Sequence, residues 1–151
     1  PVLGVMDFPV TRERWVGAGG HTHFITATGR EKLRTRACES LASAILTTTH
    51  PTGYFTDAER AAFDELGEGV RMTRYGGDCY AYGLLAMGFI DLIVEAALKP
   101  WDVQALIPII EGAGGKITTW DGGDAQHGGR VVASGDPRVH EAALAVLSRV
   151  R

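Results

Sequence analysis

Trp101-Asp102-Val103-Gln104-Ala105-Leu106-Ile107-Pro108-Ile109-Ile110-Glu111-Gly112-Ala113-Gly114-Gly115 is the stretch whose reading decides the fold. It sets a carboxylate at the mouth of an apolar helix and closes that helix on small residues. Asp102 reads as the N-cap, its carboxylate accepting backbone N–H groups at the positive end of the helix dipole. Capping is the ordinary role of such an aspartate, and metal ligation the special one. The neighbourhood weighs for the second. Glu95 ends the β-branched run Ile90-Asp91-Leu92-Ile93-Val94-Glu95, which reads as a buried strand. Asp78 follows two glycines in Tyr75-Gly76-Gly77-Asp78-Cys79-Tyr80-Ala81-Tyr82-Gly83, between a strand-like run from Val70 and a helical one from Cys79 to Gly88. Ligands of open α/β sheets gather outside the carboxyl ends of strands, so these three acids mark one candidate site.

Working outward, Val2 to Val10 and Arg14 to Val16 read as a hairpin, followed by a glycine-rich turn at Gly17-Ala18-Gly19-Gly20. His21 and His23 read as exposed loop histidines, because two imidazoles without a third ligand do not make a metal site. Ser40 to Thr49 turns β-favouring past its alanines. Thr56-Asp57-Ala58-Glu59 is a capping box opening a helix through Leu66, stopped by Gly67 and Gly69. Val103 to Ala113 reads as a helix kinked by Pro108. Strands are expected over Lys116 to Trp120 and Arg130 to Ser134, with a polar surface loop between them. Asp136-Pro137 then starts an amphipathic closing helix. Strands alternating with helices give an α/β class.

Of the 151 residues, 45% are hydrophobic and 22% charged, which argues for a globular domain. A net charge of -3 leaves no electrostatic footprint for nucleic acid, and no apolar run approaches the roughly 20 residues of a membrane span. A small-molecule partner is expected. Arg30, Lys32, Arg34 and Arg36 read as a solvated basic face. Cys38 and Cys79 lie in apolar stretches without Cys-x-x-Cys spacing, and the expected setting is reduced and cytoplasmic.

Glu95, the following Trp101-Asp102, and Glu111-Gly112-Ala113-Gly114-Gly115 resemble the carboxyl-terminal signature of the inositol monophosphatase-like phosphatases. Gly76-Gly77-Asp78-Cys79-Tyr80-Ala81-Tyr82-Gly83, with Arg12-Glu13-Arg14-Trp15-Val16-Gly17, is most similar to the histidinol-phosphate phosphatases of that family. The resemblance implies the carboxyl-terminal domain of that α/β fold, a mixed sheet between helices over residues 29–151. It implies that 1–28 supply strands of an incomplete front-domain sheet.

By the same resemblance, Asp102 is a Mg²⁺ ligand, and Gly76, Gly77, Asp78 and Glu95 face the organic part of a phosphate ester; Trp101 itself reads as packing that fixes the loop. The activity implied is Mg²⁺-dependent hydrolysis of histidinol phosphate in histidine biosynthesis, by a homodimer. Histidinol phosphate carries an ammonium and an imidazole that carboxylates can pair with, whereas inositol offers only hydroxyls. The family's Asp-Pro-Ile-Asp-Gly-Thr ligands have no counterpart here, so the chain reads as the back part of a longer enzyme, expected to be inactive alone. The alternatives are an inositol monophosphatase and a catalytically incomplete fragment or binding module.

Overall fold

The computed structural model describes residues 1–150. Its first sheet is an antiparallel meander of β1 (Leu3–Phe8), β2 (Glu13–Ala18), β3 (His21–Thr26) and β4 (Gly29–Lys32), in that order. The second contains β5 (Ile45–Thr48), β6 (Met72–Tyr75), β7 (Leu92–Leu98), β8 (Lys116–Thr119) and β9 (Gly129–Ser134). Its spatial order is β6-β5-β7-β9-β8; β5 runs parallel to β6 and β7, and β9 antiparallel to β7 and β8. The described residues add a 3-10 turn at Leu41–Ser43 and six α-helices: α1 (Pro51–Tyr54), α2 (Asp57–Gly69), α3 (Asp78–Ala86), α4 (Pro100–Val103), α5 (Leu106–Gly112) and α6 (Pro137–Leu147). None of the described helices is long and apolar enough to cross a membrane.

Strand periodicity sorts the core into layers. Ile93 of β7 faces a cluster with α3, α5 and the first sheet, while Leu92 and Val94 face one with α2 and α6. The order is therefore sheet, helices, sheet, helices, which is the α/β arrangement with a mixed second sheet.

α5 lies directly on the backbone of the first sheet. A Cβ on Gly17 would overlap the carbonyl of Pro108, and one on Gly112 would come within 2.6 Å of Thr22 Oγ1. Only glycine allows that approach. Thr22 then donates from Oγ1 to the Ile109 carbonyl at 2.6 Å. Trp15, fully buried, anchors the same layer against Phe8, Phe24 and Tyr80.

Several expectations change. The histidines at 21 and 23 lie in β3, because only Gly19 and Gly20, with φ of 58° and 74°, form the turn. The first sheet continues through β4 to Lys32 instead of ending near Thr28. α2 passes Gly67 and reaches Gly69; its capping box forms as read, and buried Phe63 and Leu66 outweigh a glycine cost of about 1 kcal/mol. The single kinked helix is two helices. Pro108 has no N–H for the carbonyl of Gln104, and the chain breaks at Gln104 and Ala105, one turn earlier than the proline itself.

Arg36 does not belong to a merely solvated run, because its Nε donates to Asp91 Oδ1 at 2.7 Å. Cys38 is buried as expected, whereas Cys79 is exposed, since the first turn of α3 opens to solvent.

Candidate functional site

β5, β6 and β7 run parallel, so their carboxyl ends meet at one edge of the second sheet. A cavity of about 380 Å³ opens there, and Asp78, Glu95 and Asp102 all line it. The three acids singled out in the sequence are thus brought together. Gly76 and Gly77 do not line the cavity; they shape its rim.

The rim turn is left-handed at three successive residues, with φ of 83° at Gly76, 101° at Gly77 and 43° at Asp78. Gly76 N–H donates to the carbonyls of Thr48 and Thr49, both at 3.0 Å, tying the turn to the end of β5. Glycine tolerates such backbone freely, and aspartate better than most other residues. Gly77 is the N-cap of α3 and Asp78 its first residue, so Asp78 does not cap that helix. The Asp78 carboxylate is exposed and has no hydrogen-bond partner among the described residues.

Glu95 does not end its strand. β7 runs on to Leu98 through a break in register, with Ala97 at φ 60°. Such bulges re-aim side chains next to binding sites. Glu95 is 4% exposed; Oε1 accepts from Thr49 N–H at 2.9 Å and Thr49 Oγ1 at 2.7 Å, and Oε2 from Thr48 Oγ1 at 3.3 Å. Burial pushes its carboxyl above the ordinary range, the threonine hydrogen bonds pull it back, and Asp78 adds to the rise.

Asp102 is not an N-cap either. Pro100 fits the first position of α4 and starts the helix two residues earlier, leaving Asp102 as its third residue. From there Oδ2 reaches back to accept from Lys99 N–H at 2.8 Å, and Oδ1 has no partner among the described residues. Trp101 was expected to pack and is instead 78% exposed at the cavity wall, because the backbone of α4 points it outward.

Sequence reasoning missed four contributors. Thr48 and Thr49, at the end of β5, hold Glu95. Tyr54 lines the cavity from α1, a one-turn helix for which Pro51 was the only local signal. Tyr82 lines it too, buried on α3 with a hydroxyl that has no partner among the described residues. Burial and the Glu95 and Asp102 carboxylates raise its pKa well above the ordinary value, so the hydroxyl keeps its proton.

No Lys, Arg or His side chain is among those lining the cavity. Three carboxylates in one recess favour a cationic group and repel a bare phosphate. Oxygen ligands suit a hard divalent cation such as Mg²⁺, and Asp102 Oδ1 could supply one. No group of three or more His, Cys, Asp or Glu among the described residues could hold a metal. These residues therefore fit one ligand of a metal centre and not a whole one.

Against known proteins, the model of the inositol monophosphatase family matches residues 1–151. The chain is 43% identical over 153 residues to a chloroplastic bifunctional phosphatase, IMPL2, of Arabidopsis thaliana, covering 95% of this chain and 43% of that protein. It is 32% identical over 136 residues to a histidinol-phosphatase of Mycobacterium tuberculosis, covering 89% and 52%. The structure of an inositol monophosphatase from Zymomonas mobilis superposes with a TM-score of 0.90 at 41% identity, covering 98% of this chain and 58% of that one. The chain thus spans about half the length of the relatives it matches. Enzymes of this family are generally metal-dependent phosphatases. With the family model covering every residue, and with the mixed sheet and its acid-lined edge in place, the chain belongs to the inositol monophosphatase family.

Proposed function

We propose that the full-length protein is a Mg²⁺-dependent phosphomonoesterase that hydrolyses histidinol phosphate to histidinol and phosphate, a step of histidine biosynthesis. The observation that carries this reading is the unpaired carboxylate of Asp78 beside buried Glu95, in a cavity lined by no positive side chain. An ammonium or a protonated imidazole meets attraction there that a hydroxyl-bearing ring does not. The histidinol-phosphatases among its relatives support the same choice.

In this proposal Asp102 provides one metal ligand, and the rest come from a front half corresponding to the remaining length of the relatives. The metal, when bound, supplies charge neutralisation at the phosphate. Asp102 keeps its geometry through the Lys99 N–H bond and so presents Oδ1 without reorganisation. Asp78 and Glu95 orient the organic part through its positive groups. Thr48 and Thr49 fix Glu95 so that it cannot swing away when the ligand is absent.

A second reading, inositol monophosphatase, is favoured by the 41% identity to the Zymomonas mobilis structure. Steady-state kinetics of the full-length protein with Mg²⁺ separates the two. The expected result is a kcat/KM for histidinol phosphate at least ten-fold above that for inositol 1-phosphate. The reverse order would establish the second reading.

A further inference from the structure

The acids account for one wall of the cavity, and two aromatic side chains stand on the wall unexplained. Tyr54 is 54% exposed and Trp101 is 78% exposed, and both line the same recess as Asp78 and Glu95. Tyr54 is not held open by lack of anchoring. α1 is fixed at its start by buried Pro51 and just past its end by Phe55, which packs edge-on against Phe63 at 5.5 Å and Trp120 at 6.0 Å. The His50 ring meets Tyr54 edge-on at 6.2 Å, with its Nδ1 3.0 Å from Thr52 Oγ1. Tyr54 is thus a ring on a rigid turn, presented to the cavity and stacked on nothing inside it.

Exposed aromatic rings beside carboxylates form a recognisable chemistry: the ring face attracts a cation and stacks on a flat heteroaromatic group, and the acid neutralises its charge. An inositol ring, puckered and neutral, gains from neither. We infer that Tyr54, with Trp101, forms an aromatic wall that receives the planar cationic ring of the substrate, and that Tyr54 is a specificity-determining residue of the cavity. This rests on the histidinol phosphate reading given above and names the part of the molecule that the acids alone leave unrecognised. The ammonium goes to a carboxylate, the ring goes to the wall, and the phosphate remains at the side of Asp102.

The test uses the full-length protein with Mg²⁺ and three substrates: histidinol phosphate, O-phosphoethanolamine (an amine without a ring) and inositol 1-phosphate. Tyr54→Leu should raise KM for histidinol phosphate about five-fold with kcat nearly unchanged, and leave the other two substrates within two-fold. Tyr54→Phe should restore the wild-type KM, because the ring face and not the hydroxyl is used. Thermal melts of both variants report folding separately. An unchanged KM in Tyr54→Leu, or an equal rise for all three substrates, would overturn the inference while leaving the histidinol phosphate reading intact. A wild-type enzyme that does not hydrolyse histidinol phosphate would overturn both.

Discussion

At the amino end of β7, Asp91 is 1% exposed; Arg36 donates to both of its oxygens, and Ile45 N–H donates to Oδ2 at 2.8 Å. Four residues on, Glu95 is nearly as buried but meets only threonine hydroxyls and one backbone N–H. The same contrast holds across the sheet. Beside Asp91, Asp136 accepts from Arg138 Nη2 at 2.8 Å and Cys38 N–H at 3.0 Å, and the Arg138 guanidinium holds its carboxyl well below the usual range. Around Glu95 stand Asp78 and Asp102, and no cation among the described residues pairs with either. One end of the sheet answers its acids with arginines and the other, among the described residues, does not. The amino end is built for stability, and the carboxyl end is where the proposed function seats its ligand.

Breaking the ligand end should cost activity and little stability. In the full-length enzyme, Asp102→Asn keeps an oxygen for Lys99 N–H but removes the charge offered to a cation. Charge stabilisation at a metal site amounts to several kcal/mol, so kcat should fall on the order of a thousand-fold while the melting temperature moves by only a degree or two. Near-wild-type turnover at ordinary Mg²⁺ would remove Asp102 from the site.

Breaking the stability end should do the opposite. Asp91→Ala leaves the part-buried Ile45 N–H without its partner and frees Arg36, a loss of about 3 kcal/mol. For a domain of this size that is a fall in melting temperature of roughly 10 °C. A melt indistinguishable from wild type would show that the arginine pairing is ornamental.

A further buried polar group sharpens the comparison through pH. His140, fully buried on α6, has Nε2 2.9 Å from Thr118 Oγ1 and Nδ1 2.9 Å from Ser134 Oγ. The Thr118 hydroxyl donates to the Thr119 carbonyl at 2.8 Å, a shorter bond than the 3.3 Å from Ser134 Oγ to the Asp136 carbonyl, which favours the ring proton on Nε2 and Ser134 as donor to Nδ1. Burial lowers the His140 pKa from 6.5 to about 4, with Lys116 adding to the fall. A depressed histidine stabilises the fold above its unfolded pKa, and that contribution drains away as pH drops from about 6.5 toward about 4. Melts of His140→Gln should therefore lose less between pH 8 and pH 5 than wild type does. Equal losses would mean that His140 does not titrate in that window.

The chain's legibility was uneven for physical reasons. Elements with a strong local signal were readable: the capping box at Thr56 and Glu59, the β-branched run into Glu95, and the Asp136-Pro137 start of α6 all form. The three acids could be gathered at one edge because parallel strands put their carboxyl ends together. What the local pattern hid were consequences of long-range packing. Gly17 reads as a turn until α5 rests on it, and Arg36 reads as solvated until Asp91 is brought beside it. Asp102 reads as a cap, but Lys99 caps that helix, just as Gly77 caps the helix that Asp78 begins, and both aspartates keep a carboxylate oxygen free. Tyr54 was invisible, since a one-turn helix carries no periodicity.

The division between the two ends is tested most directly at Asp78, whose carboxylate has no protein partner to lose. Asp78→Asn in the full-length enzyme should leave the melting temperature within a degree and raise KM for histidinol phosphate about ten-fold, the loss of one charge-assisted contact. Inositol 1-phosphate, which brings no positive group to that wall, should show a KM within two-fold of wild type. Equal slowing of both substrates, or a melt lowered as far as that of Asp91→Ala, would place Asp78 in the fold and contradict the account.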